Sequence, residues 1–168
     1  IAIKPSSFGM TFGPFVFKRY LERFVNAVKG IRLEIEIDAE NRETLVAVQH
    51  VLNSLVRKLP HGISFRPAFQ MHLPDELRKK LIADCCILDM PVRIVKGSGL
   101  YNVGEPELTD AEVLKRYFET FRQQIAKGRH PKVATVRDSA LLESLLAFTA
   151  SEHIPSTLFT LQFLDGPF

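Results

Sequence analysis

The chain has 168 residues, 46% hydrophobic and 24% charged, with a formal net charge of +3, which suits one globular domain large enough to bury a core. No apolar run approaches the roughly 20 residues needed to cross a bilayer. Basic residues are interleaved with acids, as where Arg78, Lys79 and Lys80 follow Asp75 and Glu76, and no stripe of basic and aromatic residues points to nucleic acid as a partner.

The first β-like run is Ile1 to Ser6. Ile1 already lies inside an apolar stretch, so the chain reads as a piece of a longer one, without a charged-then-apolar leader. Phe17, Tyr20, Leu21, Phe24, Val25 and Val28 then recur at helical spacing, and Gly30 ends that helix. A second run, Arg32 to Asp38, precedes a helix marked by Leu45, Val48, Val51, Leu52 and Leu55. A third run, Gly62 to Phe69, leads to a helix around Asp75 to Ile82, with Pro74 suited to its first turn. Cys85 and Cys86 follow, and two adjacent thiols make no disulfide framework. They are expected to be reduced and buried in a helix, consistent with a reducing compartment: cytoplasm or mitochondrial matrix, with or without membrane association.

The fourth run is Pro91 to Gly97. Thr109 with Glu112 forms a capping-box pattern for a helix bearing Val113, Leu114, Tyr117, Phe118, Phe121 and Ile125, closed by Gly128. The last two runs are Lys132 to Val136 and Leu158 to Leu164. Six strands alternating with five helices imply parallel pairing through right-handed crossovers. With no internal repeat, low-complexity tract or linker, residues 1–168 read as a single domain.

Side chains alternate along a strand, and in the second run the faces separate cleanly. Leu33, Ile35 and Ile37 share one face; Glu34, Glu36 and Asp38 share the other. An open doubly wound sheet covers both faces with helices, where three acids would be costly to bury. A barrel turns one face into a lumen that tolerates a polar site at its C-terminal rim. Read the same way, the other strands place Lys4, Glu36, Asp38, Arg66, Arg93, Thr160 and Gln162 on the lumen side. The expected fold is therefore an α/β, incomplete (β/α)8 barrel of about six parallel strands, lacking the first and last.

Val92-Arg93-Ile94-Val95-Lys96-Gly97 resembles a strand motif of the proline dehydrogenases, which use FAD in a distorted (β/α) barrel. Ile1-Ala2-Ile3-Lys4, Ile37-Asp38-Ala39-Glu40, Ala134-Thr135 and Phe159-Thr160-Leu161-Gln162-Phe163-Leu164 resemble further motifs of that family in the same order, with Gly166 also in place. The resemblance implies that Lys4, Asp38, Arg93 and Tyr101 serve catalysis, with Lys4 pairing with the substrate carboxylate. It implies flavin contacts from Arg66, Arg93, Val95, Lys96, Gly97, Thr135 and Gln162. The implied reaction is hydride transfer from proline, or a similar cyclic amino acid, to FAD.

There are departures from that pattern. Arg66 stands where the family has glutamine, although Gln70 is near; Gly99 stands where it has tyrosine, leaving Tyr101 displaced. Val136 replaces a histidine, and Asp165 an aromatic or histidine. No counterpart exists for the family's paired substrate-binding arginines. The alternative expectation is therefore a catalytically inactive barrel-like structural or regulatory domain, with a partner chain or further segments completing the barrel. Metal chemistry is disfavoured: the five histidines lack His-x-x-x-His spacing and no Cys-x-x-Cys pair is present.

Overall fold

The computed structural model of the chain describes residues 1–97, 108–136 and 138–163. Six strands alternate with five α-helices: β1 (Ala2–Ile3), α1 (Pro14–Ala27), β2 (Leu33–Ile37), α2 (Arg42–Leu55), β3 (Ile63–Gln70), α3 (Asp75–Ile87), β4 (Arg93–Val95), α4 (Asp110–Ala126), β5 (Lys132–Val136), α5 (Ser139–Ser151) and β6 (Thr160–Phe163). The strand order in space is the order in sequence, β1-β2-β3-β4-β5-β6. The strands pair in parallel, as short βαβ crossovers require. This is the incomplete α/β barrel that the polar faces predict. No helix among the described residues is long and apolar enough to cross a membrane.

The chain divides into two compact units, Ile1–Phe69 with Leu73–Pro91, and Gln70–His72 with Val92–Phe168. In the first, Ile35, Phe65 and Phe69 of the strands and Phe17, Leu21 and Leu52 of the helices are almost completely buried. Pro14 supplies the fixed φ of a first helical residue in α1, and Asn41 caps α2 by accepting from the Thr44 N–H at 2.8 Å. Gln49 of α2 donates to Cys85 of α3 at 3.4 Å. Cys85 is fully buried while Cys86 is half-buried, and both are free thiols; burial pushes the Cys85 pKa up to about 12.

In the second unit Val113, Tyr117 and Phe121 of α4 and Leu145 of α5 join Ile94 and Val133 in the core. Phe118 stacks on Phe148 at 4.7 Å, and Phe121 meets Phe159 edge-on at 5.2 Å. The aromatic stripe of α4 is thus core packing. The anticipated capping box is present, with Thr109 Oγ1 accepting from the Glu112 N–H and the Glu112 carboxylate from the Thr109 N–H.

Several boundaries differ from the periodicity. β1 stops at Ile3, because Pro5 has no N–H to give a ladder and Ser6–Phe8 turns into a 3₁₀ helix. The last strand starts at Thr160 because Ser156–Leu158, after Pro155, forms another such turn. α3 runs on to Ile87, and Pro74 sits just outside it as the N-cap residue.

Candidate functional site

Parallel register decides which side chains share a rung. In the first unit Ala2, Glu36 and Arg66 are aligned across β1, β2 and β3. Glu36 and Arg66 are both buried. The Arg66 guanidinium reaches Glu34 Oε2 at 2.7 Å, a charge-assisted bond that offsets its desolvation. Arg66, expected at a cofactor, is therefore engaged by an acid of the neighbouring strand. Lys4 follows β1 with its side chain exposed, and Asp38 follows β2 half-buried, its backbone N–H bonded to the Ile3 carbonyl at 3.0 Å. Glu40 receives the Ser6 N–H at 2.7 Å and the Ser6 hydroxyl at 2.6 Å. That carboxylate ties together the segments that follow β1 and β2.

In the second unit Arg93, Lys132 and Thr160 form one rung, and Val95, Ala134 and Gln162 the next rung on the same face. Arg93 opens β4, half-buried, and Gln162 is half-buried in β6. The ladder slips between Ala134 and Val136, so Thr135 sits at an irregularity of the kind that re-aims a side chain. Thr135 is 1% exposed, and its hydroxyl has no hydrogen-bond partner among the described residues. An unmade hydrogen bond on a buried hydroxyl costs about 1–3 kcal/mol, so a ligand atom there would be rewarded.

The segment after β4 is held from several directions. The Val95 carbonyl accepts from the Met71 N–H at 3.0 Å. The Lys96 carbonyl lies 2.9 Å from His72 Nδ1; a carbonyl can only accept, so Nδ1 carries the proton. Gly97 has φ 81°, and a Cβ there would come within 2.8 Å of Gln70 Cβ and 2.6 Å of Gln70 Oε1. Only glycine fits both the left-handed backbone and this contact.

The Lys96 ammonium is 3.0 Å from Asp138 Oδ2 and 3.4 Å from Asp110 Oδ1. Asp138 also caps α5, its Oδ1 accepting from the Leu141 N–H at 2.9 Å. That backbone bond, then Lys96, hold the Asp138 carboxyl below its ordinary range, and the bond to Asp138 holds the Lys96 ammonium above its own. Lys96, like Arg66, thus has its charge met by carboxylates of the same unit. Tyr101 lies outside the described residues, as do Gly99, Asp165 and Gly166.

Sequence reasoning missed His72, Asp110 and Asp138, and it placed Glu34 on the polar face and Glu40 in a strand-end motif without their partners Arg66 and Ser6. Asp138 was findable, since an acid placed just before an apolar helix is a cap signal. His72 announces itself only through its tertiary partner, the Lys96 carbonyl.

No family model matches the chain, and no curated protein matches it. Solved structures do. A proline utilization A from Bdellovibrio bacteriovorus, inactivated by N-propargylglycine, superposes with a TM-score of 0.73 at 18% identity over 97% of this chain. A bifunctional proline utilization A protein gives 0.74 at 20% identity over 99%. The chain's fold is thus similar to part of the proline utilization A structures. The chain spans about a fifth of the length of these two proteins, 20% and 19%.

Proposed function

We propose that the chain is a flavin domain of proline dehydrogenase type, oxidising proline or a similar cyclic amino acid with FAD as acceptor. The observation that carries this reading is the buried hydroxyl of Thr135, without a hydrogen-bond partner among the described residues, at a strand end in a fold similar to part of proline utilization A. It is supported by the order of the motifs from Lys4 to Gln162. Bound FAD would supply the hydride acceptor.

The chain's own residues would do the rest. Thr135 would donate or accept one hydrogen bond to the cofactor. Gly97, with Val95 and the carbonyl of Lys96, would offer backbone, kept in place by Met71, His72 and Gln70. Arg93 and Gln162 would contribute polar contacts, and Arg66 would act through its charge. In the first unit Lys4 would pair its exposed ammonium with the substrate carboxylate, beside Asp38. Tyr101 keeps the catalytic role that the resemblance implies.

The test is reconstitution with FAD followed by desalting. Retained flavin absorbance near one per chain, with Thr135→Val weakening binding roughly tenfold, the equivalent of one lost hydrogen bond, is the expected result. No flavin uptake by the intact chain overturns it.

A second reading, a barrel-like module of a larger assembly without turnover, is favoured by the engagement of Lys96 and Arg66 with acids. It predicts flavin uptake or none, but no proline-dependent dye reduction.

A further inference from the structure

Helix α1 carries two stripes. Phe17, Leu21 and Val25, spaced by four, are its buried face. Tyr20, Arg23, Phe24 and Ala27 recur at the i, i+3, i+4, i+7 spacing of a second face. With Ser7 and Phe8 of the preceding 3₁₀ turn, that second face lines an open hollow of about 500 Å³. The aromatic walls are fixed in place. Gly9 has φ 88°, and a Cβ there would come within 2.8 Å of Val16 Cγ1 and 3.0 Å of Tyr20 Cδ2. The Tyr20 ring thus lies against bare backbone, which only glycine leaves open to it. Phe8 meets Phe24 edge-on, with ring centroids 5.6 Å apart and planes at 89°, a preferred aromatic geometry.

Core packing does not account for these groups. Tyr20 is 49% exposed, and Phe8 and Phe24 are only half-buried, so aromatic surface is held in position yet left to water. Nor does the helix account for Arg23. The residues three and four places away are Arg19, Tyr20, Asn26 and Ala27, none of them an acid that could pair with it. Arg23 also precedes the last turn of α1, where the helix dipole would reward a cation. It is exposed and has no ion-pair partner among the described residues, and no acid is among the described residues that line the hollow.

We propose that this hollow binds a small aryl carboxylate, its one or two rings against Tyr20 and Phe24 and its carboxylate on Arg23. Small-molecule sites are concavities of this size, mostly aromatic and apolar, with a few polar groups that fix orientation. A guanidinium meets a carboxylate through two parallel hydrogen bonds, and the Ser7 hydroxyl supplies one further donor at the wall. A single cation suits one carboxylate and not a polyphosphate, and a wholly apolar guest would leave Arg23 unused. Walls already in place reduce the ordering cost of binding. The inference does not rest on the flavin reading, which uses other residues.

Fluorescence anisotropy of naphthoate titrated with the full chain tests it, and the chain has no tryptophan to interfere. Saturable one-to-one binding is expected. Naphthylmethanol, which keeps the rings and lacks the charge, should bind about tenfold more weakly. Cyclohexanecarboxylate, which keeps the charge and lacks the aromatic ring, should compete about tenfold less well than unlabelled naphthoate. Arg23→Gln should weaken naphthoate about tenfold and leave naphthylmethanol unchanged, a contrast that loss of structure does not produce. Tyr20→Ala should weaken both probes, and Lys80→Gln, on α3, neither. Should Tyr20→Ala fail to fold, the contrast in Arg23→Gln still decides. The proposal is overturned by absence of saturable binding, by equal loss of both probes in Arg23→Gln, or by equal loss in Lys80→Gln. It is also overturned if a second copy fills the hollow, seen as self-association in sedimentation velocity that Tyr20→Ala abolishes and naphthoate does not disperse.

Discussion

Asp75 sits in the first turn of α3 between two cations of its own helix. Arg78, itself buried, reaches its Oδ1 at 2.6 Å, and Lys79 bonds its Oδ2. The Lys79 bond first, then Arg78, hold the Asp75 pKa at about 2, against an ordinary 3.8. A carboxyl depressed on folding adds stability that is fully present above its unfolded pKa and lost as pH falls through the folded value. The window therefore runs from about pH 4 down to about pH 2. Because the carboxyl is a third exposed, screening keeps the effect modest. Urea midpoints measured across that window should fall more gently in Asp75→Asn than in the parent chain. Parallel curves would show that the pair contributes nothing.

At the scale of elements, α4 shows what a sequence can and cannot announce. Its capping box lies within four residues, Thr109 to Glu112, so it was legible before any fold was known. Thr109→Ala removes the side-chain acceptor and should cost about 1 kcal/mol in urea unfolding. Thr109→Asn, which keeps an acceptor, should recover most of that loss; equal loss in both would mean the cap is not what holds the helix start. The ion pairs of Lys96 with Asp138 and Asp110 were illegible, because they join residues separated by 42 and 14 positions. Alternation along β4 gave the parity of Lys96 but not its partners. Likewise β1 read as six residues because apolar spacing is blind to what Pro5 and the Glu40 carboxylate do to the backbone of Ser6. Strand existence and order followed from local pattern; the site's wiring did not.

For the molecule as a whole, the fold class was legible because acids on one face of β2 have few tolerable destinations. The meeting of the loops that enter β2 and β3 was not, since only the parallel register of those strands brings Gly62 against Arg32 and Leu33. The apolar surface has a similar origin. Ile94, Val133 and Leu161 share a face across β4, β5 and β6. Ile94 and Val133 are fully buried, whereas Leu161 is half-buried beside an open hollow that it lines with Leu146, Ile154 and Phe159. Parallel sheets are stable when both faces are covered. Leu146 is 50% exposed and Phe163 57%, so this face offers apolar area of the kind that draws association. Sedimentation velocity should therefore show concentration-dependent self-association of the isolated chain. Leu146→Ser should reduce that association while leaving the melting temperature nearly unchanged, because half of the side chain already contacts water. A chain that stays monomeric across the accessible range would mean that the uncovered face of β6 is too small to recruit a partner on its own.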